Sequence, residues 1–186
     1  MILQTARLTL APLVVSDEED LLEYQSDPDT VRFIPWPART REQVAESIAK
    51  VAHYSTPKTD NDSMVLGWRL GSNGKVIGQS NLTIISEANS FAEIGWVVSP
   101  HFRGQGFASE ATLALIDFAF DELKLHRVIA YMDQRNSDSA RLAERLGMRR
   151  EAAYVKDEFF KGEWTSAYLY ALLAEERLAQ RSASNS

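Results

Sequence analysis

The sequence predicts an α+β fold, a mostly antiparallel sheet with helices on its faces and one parallel strand pair. Three observations predict it. From Met64 the apolar residues recur with period two and pass through the hairpin dipeptide Asn73-Gly74. Ala108 to Leu123 is apolar almost all round, as a helix buried against a sheet must be. The strand, helix, strand unit from Phe91 to Met132 returns the chain through a crossover, which places its two strands parallel.

Each element has its own local cause. Leu3 to Leu13 alternates, with Leu8 and Leu10 on one face and Arg7 and Thr9 on the other, and reads as a strand. Ser16 with Glu19 has capping-box spacing and opens a helix carrying Leu21, Leu22 and Tyr24 that ends before Asp27-Pro28. Pro35 and Pro37 make Phe33 to Arg39 an apolar loop, since each removes a donor and pushes its predecessor toward extended geometry. Thr40 with Gln43 repeats the capping box, and Val44, Ile48 and Val51 define an amphipathic helix to about Tyr54, followed by a polar loop from Ser55 to Ser63. Met64 to Leu70 and Val76 to Ile85 form a hairpin, and Phe91 to Ser99 adds a third strand that stops at Pro100. Beyond the central helix come a strand over Arg127 to Met132, a short helix over Asn136 to Leu146 stopped by Gly147, and strands near Ala152 to Phe160 and Trp164 to Leu172. No repeat or linker divides the chain, so residues 1–176 are expected to form one domain and 177–186 a frayed tail.

Composition narrows the function. The 20 Lys and Arg against 26 Asp and Glu give a net charge of -6, the wrong sign for a nucleic-acid partner. The amino terminus lacks a basic region before an apolar stretch, and no apolar run has membrane-spanning length, so a cytoplasmic protein with no membrane partner is expected. The absence of cysteine removes disulfides, thiolate ligands and an acyl-cysteine intermediate. His53, His101 and His126 stand far apart without ligand spacing, and no metal is expected.

The segment Ile94 to Ala111 carries the chemistry. A strand runs into Arg103-Gly104-Gln105-Gly106-Phe107-Ala108-Ser109, and this turn opens the buried helix. First-turn amides lack internal acceptors and sit at the positive end of the helix dipole, so a diphosphate satisfies several at once; Gly104 and Gly106 permit close backbone approach. A dinucleotide fold is the rival reading, since Gly104-x-Gly106-x-x-Ser109 nearly matches its fingerprint and Asp133 ends the next strand. The third glycine is replaced by Ser109, and the preceding strand belongs to an antiparallel meander rather than a parallel βαβ start.

Arg103-x-x-Gly106-x-Ala108 after a strand resembles the signature of the GNAT superfamily of acetyl-CoA-dependent N-acetyltransferases. Asp133 to Met148 is similar to the Asn-x-x-Ser then Glu-Lys-x-Gly-Phe segment of its RimJ/RimL branch, which acetylates protein N-termini including ribosomal ones. Thr5-Ala6-Arg7-Leu8-Thr9-Leu10 and Gly162-x-Trp164 to Leu173 extend the likeness over nearly the whole chain. The pattern often has Asp two residues after that tryptophan, where this chain has Ser166.

The resemblance implies a GNAT-like sheet and transfer of acetyl from acetyl-CoA to a primary amine, a protein N-terminal α-amine or a small-molecule amine. The backbone of Trp96, Val97 and Val98 would pair with the pantetheine arm, and Arg103, Gly104, Gln105, Gly106, Phe107, Ala108 and Ser109 would hold the diphosphate. Asn136 and Ser139 would lie near the pantetheine and the sulfur, with Ser139 or Tyr154 protonating the departing thiolate. Read from the residues alone, Asn136 is a good N-cap. The amide of Val97 or Val98 would polarise the thioester carbonyl, and Glu93 is the candidate base, directly or through water. Phe33 and Trp36 fall where this branch builds its acceptor cleft. A homodimer is the family-based expectation, and a fold that kept the cofactor but lost turnover, as a sensor or scaffold, is the alternative function. The net negative charge favours cationic acceptors such as basic ribosomal proteins or polyamines.

Overall fold

Residues 1–52 and 56–184 are described by a computed structural model. Among them, eight strands form one sheet: β1 (Leu3–Gln4), β2 (Leu8–Pro12), β3 (Ser63–Leu70), β4 (Val76–Ser86), β5 (Phe91–Val98), β6 (Arg127–Asp133), β7 (Arg149–Phe160) and β8 (Glu163–Leu173). Their spatial order is β1-β2-β3-β4-β5-β6-β8-β7. Every neighbouring pair is antiparallel except β5 with β6, as the crossover requires. The helices are α1 (Glu18–Gln25), α2 (Arg41–Val51), α3 (Phe107–Asp121), α4 (Ser137–Arg145) and α5 (Ala174–Ser184).

Strand alternation assigns the helices to faces. Met64, Leu66 and Trp68 of β3 and Ile94 of β5 point into the main core, where Ala111, Leu115, Ile116 and Ala119 of α3 meet them fully buried. Val65 and Val97 point the other way, into a second core with Leu21 and Tyr24 of α1 and Val44 and Ile48 of α2. Each fully buried aliphatic side chain contributes roughly 1.5–3 kcal/mol. Differences in helix propensity among ordinary residues reach only about 0.7 kcal/mol, so burial sets where α3 lies.

Four local readings need correction. The first expected strand is broken at residues 5–7, where Thr5 Oγ1 accepts from the Leu8 amide at 2.9 Å and the turn separates β1 from β2. The capping box of Ser16 with Glu19 does not start α1; a 3-10 turn over Val15–Asp17 precedes it, and Asp17 accepts from the Val14 amide at 2.8 Å. Asp17 is drawn inward by Arg69, whose Nη2 donates to Asp17 Oδ2 at 2.7 Å. The β3–β4 connection is a longer turn rather than a two-residue hairpin, with the Gly74 amide donating to Leu70 O at 2.8 Å. Residues 177–184 continue α5 where a frayed tail was expected, because Arg177 pairs with Asp117 at 2.7 Å and Arg181 with Asp121 at 2.8 Å, both acids on α3.

The capping box of Thr40 and Gln43 is present in both directions, with N···O distances of 2.9 and 3.4 Å. His53, the helix end at Tyr54 and the loop start at Ser55 lie outside the described residues, as do residues 185–186 of the tail.

Candidate active site

The one parallel pairing is short. Strands β5 and β6 match only at Phe91 with Arg127, Ala92 with Val128 and Glu93 with Ile129. Past that point β5 stays with β4 as far as Val98, while β6 stays with β8 as far as Asp133. The two strands therefore diverge, and from Ile94 one edge of β5 has no strand partner. Main-chain groups on such an edge require some other hydrogen-bonding partner.

The open edge leads to the glycine turn. Gly104 and Gly106 take φ of +73° and +82°, left-handed values that side chains with a Cβ adopt only under strain. Gly106 caps α3, and the first internal bond of that helix runs from the Glu110 amide to Gly106 O at 3.1 Å. Among the described residues none accepts from the amides of Gly104 to Ser109, so six successive N–H groups are free at the positive end of the helix.

Side chains hold this turn from outside. Arg7, which the sequence analysis assigned no role in the site, donates from Nη1 to Gln105 O at 2.9 Å and from Nε to Glu110 Oε2 at 2.6 Å. Its guanidinium lies 4.3 Å from the centre of the Phe107 ring. Gln105 closes back on His101 O at 3.1 Å. Arg103 donates to Thr30 Oγ1 at 3.0 Å, tying the turn to the segment after α1.

At the other end of the open edge lies a cleft of about 600 Å³. Glu93, Trp96 and Val97 of β5 form one wall, and Tyr131 and Asp133 of β6 another. Asn136 and Ser139 lie at the start of α4, and Phe33 to Trp36 form the rim. The indole N–H of Trp96 donates to Ser139 Oγ at 3.2 Å. Asn136 acts as the N-cap of α4, its Oδ1 accepting from the Ser139 amide at 3.2 Å. Val98 and the turn from Arg103 to Ser109 lie outside this lining, further along the same edge.

Tyr154 is not brought to the cleft. It is 41% exposed and outside the lining, with its ring 6.2 Å from that of Tyr131. Tyr131 takes the wall position instead and donates its hydroxyl to Asp157 Oδ2. Burial raises the Tyr131 phenol, and the Asp157 bond raises it further. No signal in the local sequence distinguishes these tyrosines, because Tyr131 on β6 and Tyr154 on β7 are placed by the pairing of both strands with β8, which joins residues distant in sequence.

Four carboxylates line the cleft: Glu93, Asp133, Asp157 and Glu158. Burial raises Glu93 above the usual carboxylate range, and the Glu158 charge raises it further. Asp133 goes the other way. Burial opposes its ionisation, but Arg135 at 2.6 Å lowers it. Among the described residues no three His, Asp or Glu side chains converge as a metal site, so these acids meet as charges around a cavity.

The rim loop is fastened by Lys161, at the β7–β8 turn, whose Nζ donates to Val31 O at 2.6 Å and Trp36 O at 3.1 Å. The Trp36 Nε1 is buried without a partner. No helix among the described residues is long and apolar enough to cross a membrane.

A family model described as an acetyltransferase (GNAT) domain matches residues 7–149. The chain is 30% identical over 181 residues to the uncharacterized N-acetyltransferase YnaD of Bacillus subtilis, covering 95% of this chain and 99% of that one. It superposes on a GNAT-family acetyltransferase from Bacillus anthracis with a TM-score of 0.85 and 32% identity, covering 95% of this chain and 100% of the other. A spermidine N-acetyltransferase from Vibrio cholerae, solved in complex with CoA and spermine, shares the fold with a TM-score of 0.77 at 22% identity, over 92% of this chain and 98% of the other.

Proposed function

Given that this chain belongs to the GNAT acetyltransferase family and is an acetyl-CoA-dependent N-acetyltransferase, we propose that it transfers acetyl directly to a primary amine in a ternary complex. The observation that carries this reading is the edge of β5 left without a strand partner from Ile94 to Val98, which leads through the hydrogen-bonded turn at residues 99–103 to the six free amides at the start of α3. A pantetheine arm has amides that bond such an edge as an added strand would, and a diphosphate suits the amides at the helix start.

The chain's own residues then divide the chemistry. Glu93, raised by burial, is poised to take a proton from an ammonium and leave a neutral amine. The amine nitrogen attacks the thioester carbonyl carbon while the amide of Val97 or Val98 polarises its oxygen; the nitrogen, cationic after attack, gives its second proton to water, the C–S bond breaks and the sulfur leaves with the electron pair. Ser139 already accepts from Trp96, so its own proton is free for the thiolate, and it regains one from solvent. Asn136 keeps α4 in place to present that hydroxyl. Phe33 and Trp36 border the acceptor side of the cleft.

Two acceptor sources suit this chemistry. The resemblance to the RimJ/RimL branch points to a protein N-terminus, and the fold neighbour with CoA and spermine points to a polyamine. The test mixes the protein with acetyl-CoA and a panel of peptides and small amines, and follows free thiol. Release of CoA with stoichiometric acetylated amine is expected. Calorimetric binding of acetyl-CoA with no product from any amine would replace the reading with that of a sensor.

A further inference from the structure

Resting on the reading of the glycine turn as the diphosphate site, we propose that Arg7 is its positioning residue: by holding Gln105 O from one side, it aims the Gly106 amide at the diphosphate on the other.

The argument starts from one peptide group. Gln105 O and the Gly106 N–H belong to the same peptide, which is trans, so the two point in opposite directions. Arg7 Nη1 donates to that oxygen at 2.9 Å. Fixing the oxygen therefore fixes the amide, and among the described residues nothing accepts from it. The left-handed φ values of Gly104 and Gly106 leave the turn few restraints of its own, because glycine tolerates many conformations that an outside group must choose among.

Arg7 is itself held on three sides. Its Nε donates to Glu110 Oε2 at 2.6 Å, and its guanidinium lies 4.3 Å from the centre of the Phe107 ring. Its own amide donates to Glu110 Oε1 at 2.7 Å, beside Thr5 Oγ1 at 2.6 Å. The break between β1 and β2 thus has a purpose at the site, since it turns Thr5 and Arg7 toward the first turn of α3. Burial opposes ionisation of Glu110, but the bonds from Thr5 and Arg7 outweigh it and keep the carboxyl below its usual range. An anionic Glu110 would repel a diphosphate, and the Arg7 charge offsets it. A planar fork reaches Gln105 O and Glu110 together, which a single ammonium is not shaped to do.

The experiment measures calorimetric affinity for CoA and for pantetheine, which lacks the diphosphate, in the wild type, Arg7→Met and Arg7→Lys. Both variants should bind CoA about tenfold more weakly, the scale of one charge-assisted hydrogen bond, with pantetheine affinity hardly changed. In isotope-labelled protein the Gly106 amide resonance should shift on adding CoA to the wild type and much less in either variant. The Arg7 side chain is 48% exposed, so the variants should fold, which the same spectra verify. Wild-type CoA affinity in Arg7→Met, equal losses for both ligands, or full recovery in Arg7→Lys overturns the positioning role and leaves the diphosphate site standing. Wild-type protein that binds CoA no more tightly than pantetheine removes the diphosphate reading and this inference together.

Discussion

The Trp96 indole and the Ser139 hydroxyl, 43 residues apart in sequence, meet at 3.2 Å across the point where β5 and β6 part. The bond fills an acceptor site of Ser139 and leaves its proton unassigned, the state required of a group that protonates a thiolate. Ser139→Ala should lower kcat by about 10²-fold or more, the usual contribution of general acid catalysis. Calorimetric affinity for acetyl-CoA should hardly change; an unaltered kcat would remove Ser139 from the chemistry.

Gly106→Ala should weaken acetyl-CoA binding by about tenfold. A residue with a Cβ at φ +82° costs roughly 1–2 kcal/mol, and that Cβ would come 3.3 Å from an Arg7 nitrogen. Relief of either strain moves the six free amides. Affinity for pantetheine, which lacks the diphosphate, should fall much less, and equal losses for both ligands would show that the turn does not serve the diphosphate.

Glu93 links activity to pH and to stability. Its pKa is raised in the folded state, so kcat/KM should climb along a limb above the ordinary carboxylate range as the base ionises. For stability the sign is opposite. A raised carboxyl pKa stabilises the fold below the unfolded pKa, and that contribution is lost as pH rises through the folded value. Glu93→Gln should therefore raise Tm at pH 7 and not at pH 4, while lowering kcat. A Tm that falls equally at both pH values would contradict the cause given for the shift.

Glu158→Gln removes the second cause of that shift, so the pH limb for turnover of butylamine should move downward. The measurement is the pH profile of kcat/KM for the variant beside the wild type. A limb that stays in place would mean that burial alone raises Glu93.

Far from the cleft, Arg69 and Asp17 make a pair in which Asp17 is only 4% exposed. Arg69→Met leaves that carboxylate buried without its cation, which costs about 3–5 kcal/mol for pairs of this kind. The denaturant midpoint should drop accordingly, with acetyl-CoA affinity of the folded protein unaltered. A shift well under about 1 kcal/mol would indicate that solvent reaches Asp17.

Much of the fold was legible because its signals act between near neighbours. The period-two runs of β3, β4 and β5, the capping box of Thr40 and Gln43, and the strand, glycine turn and helix over residues 91–121 all depend on backbone preferences within a few residues. The reading of Ser16 as a cap failed where a distant group intervened, since Arg69 pulls Asp17 inward and a 3-10 turn forms. The tail is governed likewise, since polar residues 177–184 gain their helix from acids about 60 residues earlier.

By itself, then, the sequence determined the α+β class, the helix that opens on Gly106 and the free amides there, since φ preference and missing acceptors are properties of the local chain. Only the tertiary structure decided which side chains share the cleft: Tyr131 in place of Tyr154, Trp96 against Ser139, and Asp157 with Glu158 on one wall opposite Glu93. Those placements depend on where β5 and β6 diverge and on two extra residues accommodated opposite Ser166. Pairing between strands distant in sequence sets both, and no local residue pattern encodes it.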